Sequence, residues 1–510
     1  MSSRTDWRVE GAGTTPGSAN DRVVVIGGGL AGLVAAERLV AQARGMGLGG
    51  AVGPGRGPLE VVLLEAKNRL GGAIWTDRRD GFLLEGGADS FITNKPWAVD
   101  LCRRIGLGDR LIGPDEAHRR SFVVRRGKLV PVPEGFVLMA PRKIGPILTT
   151  PILSIRGKLR LLMDLVLPRR ADDGADESLA SFVRRRLGRE ALERLVQPLV
   201  GGIYTADPAD LSLRATLPQY LAMERDHGGL IRGARAEAKR ARPADRSASG
   251  ARYGLFASLI DGMESLPKAL AGALPPGVAR VNTPVRRVVR PDRPGAPWRV
   301  ELLDGPAIDA GSVILASEAH ASARLLEGVD PELALDLRSI PYASSAIVTV
   351  GYRRSQVGHP LDGFGVVVPA IERRRILAAS FSSVKFPSRA PDGTALIRVF
   401  VGGATQPELL EFDDDAIRDI ALEELGALLR VAGSPLLVRV DRHERAMPQY
   451  TLGHLGRVAS IRARLARLPR LGLAGNAFEG VGLPDVVRSG QEAADAALRA
   501  LLDPAAIIAA

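Results

Sequence analysis

Arg22 to Ile26 is a short run of mostly β-branched residues flanked by Asp21 and Gly27, the pattern of a buried strand. Leu30 to Ala43 follows with helical composition, and Leu59 to Glu65 reads as a second apolar strand. Between them, Arg44 to Pro58 (RGMGLGGAVGPGRGP) is a glycine-rich, flexible loop. Strand, helix and strand in this order make a β-α-β unit of the doubly wound kind, so the predicted fold class is α/β. Short helical and strand-like patches alternate from Leu101 to about Pro133. Pro141 to Gly202 is helix-rich, with Leu179–Leu187 and Arg189–Val200 the amphipathic pieces. Ala234 to Arg252 is polar and basic and reads as an exposed loop. Leu255–Leu274 predicts a helix; Val278–Val289, Trp298–Leu303 and Val313–Ala316 predict strands. More strands fall within Ile347–Phe400, including Gly365–Val368 and Ala395–Val401. Asp413–Val431 and Gln491–Leu502 predict helices, and there is no internal repeat.

Composition narrows the class. A chain of 510 residues suggests about three modules at roughly 150 residues each. With 45% hydrophobic and 25% charged residues it is neither disordered, collagen-like nor a coiled coil. A single cysteine, Cys102, excludes an intramolecular disulfide framework and a cysteine-rich metal site, and six scattered histidines offer no metal cluster. The formal net charge of +12 points to an anionic partner, while 4% aromatic residues leave little for base stacking, so no nucleic acid is expected. Met1–Asn20 lacks the apolar core of a signal peptide and reads as a disordered tail, which suggests a cytoplasmic protein. The longest apolar stretch, Phe136–Leu167, is broken by Pro141, Arg142, Lys143, Pro146, Pro151, Arg156 and Asp164. It suits a surface lying on a membrane rather than crossing one, as in peripheral attachment to the inner face of the cell membrane.

Gly27-Gly28-Gly29-Leu30-Ala31-Gly32 satisfies GxGxxG between the first strand and helix. The first glycine permits the tight turn, the second admits a pyrophosphate to the backbone, and the third packs helix on strand. Unpaired N–H groups at the helix start then face the phosphates. Glu65 ends the second strand, where a carboxylate accepts from the adenosine ribose. It lies 33 residues after Gly32 because of the glycine-rich insertion. Downstream, Glu65-Ala66-Lys67-Asn68-Arg69-Leu70-Gly71-Gly72 resembles the E-x-x-x-R-x-G-G motif of flavoproteins in the amine oxidase and phytoene desaturase superfamily. Gly86-Gly87-Ala88-Asp89 stands where that superfamily lines the flavin. Leu471–Asn476 is a strand running into a glycine turn, and Glu479–Asp485, with Val481, Gly482 and Leu483, leads into a helix. Elements at both ends of the chain match FAD, which is long enough to span the domain, better than NAD.

Three further motifs narrow the resemblance: Gly201-Gly202-Ile203-Tyr204-Thr205-Ala206-Asp207, Gly262–Leu270 (GMESLPKAL) and Ala446–His454 (AMPQYTLGH). In this order, from about Arg22 to Leu501, they resemble the oxygen-dependent protoporphyrinogen/coproporphyrinogen oxidases of haem biosynthesis. The resemblance implies FAD- and O2-dependent oxidation of an anionic tetrapyrrole, a porphyrinogen, to a porphyrin with release of hydrogen peroxide. It places Gly202 and Tyr204 beside the substrate, Val285 along the FAD, and Asn476, Val481, Gly482 and Leu483 at the isoalloxazine. His443 stands where some members carry an aromatic residue; as a lone histidine it is read as structural before it is read as a base. At the position of a propionate-binding arginine in eukaryotic protoporphyrinogen oxidases stands Ser121, which favours coproporphyrinogen III. A one-residue slip would bring Arg119 or Arg120 there and favour protoporphyrinogen IX. Product hand-off to a ferrochelatase is left open, as is the oligomeric state. The rival readings are an amine oxidase or carotenoid desaturase and, in another class, a basic binding protein on a flavin scaffold.

The expected architecture is a Rossmann-like FAD-binding domain from discontinuous segments 21–100, 251–312 and 438–505. A mixed-sheet substrate domain is expected at 101–135 and 313–437, and a helical lobe at 136–250.

Overall fold

The computed structural model describes residues 19–45, 58–171, 174–240 and 256–502. The expected N-terminal tail up to residue 18, most of the glycine-rich insertion (46–57) and positions 241–255 lie outside the described residues.

A five-stranded parallel sheet forms the first layer, in the order Ala279–Arg280, Glu60–Leu64, Arg22–Ile26, Ser312–Leu315, Leu471–Leu473. Alternation along the strands separates two cores. Val23, Val25, Val61 and Leu63 pack toward helices Leu30–Gly45 and Leu483–Leu502, while Val24, Ile26, Val62 and Leu64 pack toward an antiparallel sheet of Val285–Val289, Trp298–Leu302 and Ile308–Ala310. Continuous β-branched runs are what a strand covered on both faces requires.

The second layer is a seven-stranded mixed sheet in the order Leu437–Pro448, Tyr342–Arg353, Thr394–Gly402, Ala378–Phe381, Gly365–Val367, Phe122–Arg125, Lys128–Pro131. Its pairs are antiparallel except Gly365–Val367 with Phe122–Arg125. Phe122, Val124 and Val366 turn toward helix Asp414–Leu429, and Val123 and Val367 turn toward a lobe of helices between Gly145 and Arg240. Serines open three lobe helices: Ser154 Oγ accepts from Gly157 N (3.0 Å), Ser178 Oγ from Ser181 N (3.2 Å) and Ser212 Oγ from Ala215 N (3.0 Å).

Several elements differ from expectation. Phe256–Leu259 is a strand between Phe91–Ile92 and Leu111–Ile112, and helix begins only at Ser265, after Gly262 at φ +97°. The polar stretch from Ala234 starts inside helix Leu230–Arg240, whose Leu230, Ile231 and Ala234 are buried in the lobe. The closing helix starts at Leu483, eight residues before Gln491. Gly201–Tyr204 is the last turn of helix Gln197–Tyr204, ended by Thr205 at φ 48°, and a π turn over Leu192–Val196 precedes it. Ser312–Leu315 sits inside the parallel sheet, and Leu437–Pro448 is an edge strand of the mixed sheet.

Candidate active site

The glycine motif forms the tight turn that its spacing requires. Gly27 has φ +112°, and a Cβ on it would lie 2.7 Å from the Ala316 carbonyl oxygen; on Gly32 it would lie 1.9 Å from the Gly27 carbonyl oxygen. Gly29 has nothing within 4 Å of that position, so it leaves open space at the start of helix Leu30–Gly45. Glu65 joins the two motifs: its carboxylate accepts from Gly28 N (2.7 Å) and Lys67 N (2.8 Å), while Gly71 N donates to the Gly28 carbonyl (2.8 Å). The Arg69 guanidinium donates to the carbonyls of Leu70, Gly72 and Ile74, which curls the loop onto itself, and burial lowers its pKa.

Together these segments wall a cavity of about 640 Å3. Of the predicted residues, Gly27, Gly29, Leu30, Ala31, Glu65, Ala66, Arg69, Gly71, Gly72, Val285, Asn476 and Leu483 line it. Gly28 and Gly32 pack behind it. Val481 and Gly482 stand half-buried in the turn just before helix Leu483–Leu502. Thr283, Pro284, Ala316 and Ser317 also line the cavity and were missed. The available signal was topological, because ligands of open α/β sheets bind outside the carboxyl ends of the strands, where Ala316 and Ser317 follow Ser312–Leu315.

Gly86 to Asp89 forms a strap set against the loop at Ala73 and Trp75. A Cβ on Gly86 would lie 1.9 Å from the Trp75 ring, and one on Gly87 1.9 Å from the Ala73 carbonyl oxygen. His443 Nε2 donates to the Gly86 carbonyl (2.8 Å), and Arg398 donates to that of Gly87. Burial holds the His443 pKa below its ordinary value. Asp89 ends the strap half-buried, with Lys385 Nζ at 3.0 Å and Arg398 at 3.5 Å. Burial alone would raise its pKa, but the two cations hold it well below the usual carboxylate range.

The Ala446–His454 motif supports the C-terminal element. Tyr450 Oη donates to the Asn476 carbonyl (2.7 Å) and accepts from Gly480 N (2.7 Å), while its ring stacks on His454 at 3.9 Å. His454 Nε2 donates to the Phe478 carbonyl at 3.0 Å. The turn at Gly202–Tyr204 is tied to the mixed sheet by Ala404 N to the Thr205 carbonyl (2.8 Å) and by Gln449 Nε2 to the Tyr204 carbonyl (3.2 Å). Gly202 faces Val367, at 3.5 Å from a Cβ position, and Tyr204 Oη donates to the Thr216 carbonyl at 3.3 Å. Elsewhere, Arg119 pairs with Glu116 (2.7 Å), Arg120 donates to the Asp362 carbonyl (2.6 Å) and pairs with its carboxylate, and Ser121 is fully buried. Both arginines are thus committed to ion pairs, and the Ser121 hydroxyl is sealed from solvent.

The chain matches the family described as flavin containing amine oxidoreductase over residues 30–498. It is 34% identical to the coproporphyrinogen III oxidase of Bacillus subtilis (strain 168), covering 93% of this chain and 97% of that one. It is 36% identical to that of Propionibacterium freudenreichii subsp. freudenreichii, covering 96% and 92%. Protoporphyrinogen oxidase 1, chloroplastic, of Arabidopsis thaliana is 29% identical over 96% of this chain and 89% of its own. A solved structure from Exiguobacterium sp. 255-15, provisionally named a protoporphyrinogen oxidase, superposes with TM-score 0.80 at 31% identity, covering 94% of this chain and 98% of that one. Cyclohexylamine oxidase from Brevibacterium oxydans IH-35A (TM-score 0.65, 17% identity, 94% and 98% covered) shares the fold. A dinucleotide cradle closed by segments from both ends of the chain, and a match running through nearly all of it, place this protein in the flavin-containing amine oxidoreductase family.

Proposed function

We propose that this protein oxidises coproporphyrinogen III to coproporphyrin III, with FAD as cofactor and O2 as final acceptor, releasing hydrogen peroxide. The observation that carries this reading is the 34–36% identity to named coproporphyrinogen III oxidases over 93–96% of the chain. Protoporphyrinogen IX is the second reading, favoured by the chloroplastic relative at 29%.

The residues present fit FAD. The 640 Å3 cavity runs from Glu65 and Val285 to Asn476 and Leu483 and includes the open space over Gly29, a size typical of cofactor sites, roughly 300–1,000 Å3. In this reading Glu65 accepts from the ribose, and the backbone N–H groups at Gly29–Ala31 hold the pyrophosphate. The N-terminus of helix Leu483–Leu502 borders the cavity and would offer its partial positive charge to the flavin ring system. FAD, when bound, supplies the hydride acceptor for the substrate's methylene bridges and the route for electrons to oxygen. The chain's own work is to hold a flat anionic macrocycle against that acceptor and to take up the protons lost. The Gly202–Tyr204 turn belongs to this substrate wall, and a carbonyl at the end of that helix is proposed to orient the departing proton by hydrogen bonding, with solvent water carrying the proton away.

Among the described residues, no helix is long and apolar enough to cross a membrane. A peripheral contact is proposed through the exposed Ile155, Leu159, Met163 and Val166 of the helical lobe. A ferrochelatase is the acceptor proposed for the product.

Porphyrin fluorescence from the FAD-loaded enzyme, given coproporphyrinogen III and protoporphyrinogen IX separately in air, tests the assignment. Faster turnover of the first is expected. A preference for the second moves the assignment to protoporphyrinogen oxidase, and no enzyme-dependent fluorescence from either, with FAD bound, overturns both.

A further inference from the structure

Gln449 and Tyr450 follow the edge strand Leu437–Pro448 and stand between two walls that the proposed reaction uses. One is the flavin-side turn, of which Gly475, Asn476 and Leu483 line the cofactor cavity. The other is the end of helix Gln197–Tyr204. Each of the two buried side chains goes to a different wall. The Tyr450 oxygen donates to the Asn476 carbonyl (2.7 Å) and accepts from Gly480 N (2.7 Å), so both ends of the loop 476–480 hang on one atom. Burial pushes the phenol pKa up, which keeps the donor proton on that oxygen. Gly480 has φ +120°, and a Cβ there would lie 2.4 Å from Cγ of Asp485, whose carboxylate Lys95 Nζ holds at 2.7 Å. The start of helix Leu483–Leu502 is thus fixed through Asp485 by Lys95 and, across Gly480, by Tyr450.

The Gln449 amide works in the other direction. Its Nε2 donates to the Tyr204 carbonyl (3.2 Å) and to the Met447 carbonyl (3.1 Å). The Tyr204 carbonyl also accepts from Thr205 Oγ1 at 2.8 Å, and Ala404 N on the Thr205 carbonyl is the turn's next tie to the mixed sheet. The main chain between the two walls is itself anchored to the helical lobe. Ser212 N donates to the Tyr450 carbonyl (2.8 Å) and Leu452 N to the Asp210 carbonyl (2.9 Å). Asp176 accepts from Ser212 Oγ (2.8 Å) and Gly453 N (3.0 Å). With the backbone held, the reach of each side chain sets where its wall stands.

We propose that Gln449 and Tyr450 are positioning residues that space the two walls, Tyr450 by setting the flavin-side turn and Gln449 by setting the substrate-side turn. These roles rest on the oxidase reading above and deepen it. Hydride transfer asks for reacting atoms about 3–3.5 Å apart, so a rigid spacer between cofactor seat and substrate seat acts directly on the reaction. Because the two side chains have separate partners, their roles separate on substitution. Loss of the phenol oxygen leaves the Asn476 carbonyl and the Gly480 N–H without that partner and releases the helix start from the flavin. Loss of the amide loosens the Tyr204 turn and leaves the flavin side as it is.

The test compares FAD-loaded wild type, Y450F and Q449M in flavin absorbance, flavin reduction potential, and kcat and KM for coproporphyrinogen III. Y450F is expected to bind FAD roughly tenfold more weakly and to show a changed flavin absorbance. Its potential should move to more negative values, because the helix N-terminus no longer sits against the reduced flavin, and kcat should fall with KM unchanged. Q449M is expected to raise KM roughly three- to tenfold while flavin absorbance and potential stay those of the wild type. Ile417→Val, in the core beneath the mixed sheet, loosens packing away from both turns and should lower the melting temperature alone. Y450F with the wild-type potential, Q449M with the shift of Y450F, or I417V reproducing either effect overturns the assignment of roles. Should Y450F not hold FAD, Q449M decides: a raised KM at wild-type potential sustains the division, and any other result overturns it. Absorbance and potential need no porphyrinogen. A wild type inactive on both porphyrinogens therefore sinks the oxidase reading, while these two readouts still judge the positioning roles.

Discussion

Glu65 ends its strand with a carboxylate that already accepts from two backbone N–H groups, Gly28 and Lys67, and still lines the cofactor cavity. It therefore both shapes the loop and offers an acceptor to a ribose. Glu65→Gln keeps the volume but replaces a charged acceptor, and hydrogen bonds to charged groups are worth about 1.5–3 kcal/mol. FAD affinity should fall roughly ten- to hundredfold, read as recovery of flavin fluorescence on dilution with the apoprotein still folded. The glycines were legible in the sequence because a missing Cβ is a physical requirement where a carbonyl stands 1.9 Å away, as beside Gly32 and Gly87. Ser317 and Thr283 were not, since nothing in their local chemistry separates a cavity-lining hydroxyl from a surface one. His443 was singled out and read as structural before catalytic; the structure supplies its partner, the carbonyl of Gly86, which is 357 positions away in the chain.

Among the elements, the closing helix departs most instructively from expectation. Its first turns carry Pro484, Asp485 and Gly490, which weaken a helical reading from sequence. Tertiary contact decides the matter: Gly490 lets this helix approach Leu30–Gly45 so closely that a Cβ would lie 2.5 Å from the Ala31 carbonyl oxygen and 3.1 Å from Val34. Gly490→Val should overpack this seam and cost about 1–3 kcal/mol, seen as a lower urea midpoint. The flavin-binding loop is built on one of the two helices, so FAD affinity should fall as well. Phe256–Leu259 makes a similar point in reverse. Its residues tolerate helix, but the open edges of Phe91–Ile92 and Leu111–Ile112 provide backbone partners that only a strand can use. The β-α-β unit was readable because each of its elements satisfies its own period and its own turn chemistry.

Across the whole molecule, burial pushes four histidines, His320, His359, His443 and His454, below their ordinary pKa of 6.5. The unfolded chain thus takes up protons before the folded one does. This contribution to stability is complete above about pH 6.5 and is lost as pH falls through each folded-state pKa. Urea midpoints should be level from pH 8 to about 7 and decline below about 6. His443→Gln, whose amide can still donate to Gly86, should flatten part of that decline; an unchanged slope would mean that the His443 pKa is the same in the folded and the unfolded chain. At this scale the sequence by itself determined the α/β class, the nucleotide turn, Glu65 and the order of the flavin motifs. All of these follow from short-range demands: strand and helix periods, glycine backbone freedom and a carboxylate at a strand end. It could not assign Ser312–Leu315 to the parallel sheet beside Arg22–Ile26, or set the charged lock of Asp89 with Lys385 and Arg398. Those features bring together residues far apart in the chain. Their energies come from burial and pairing, which do not exist until the layers have packed.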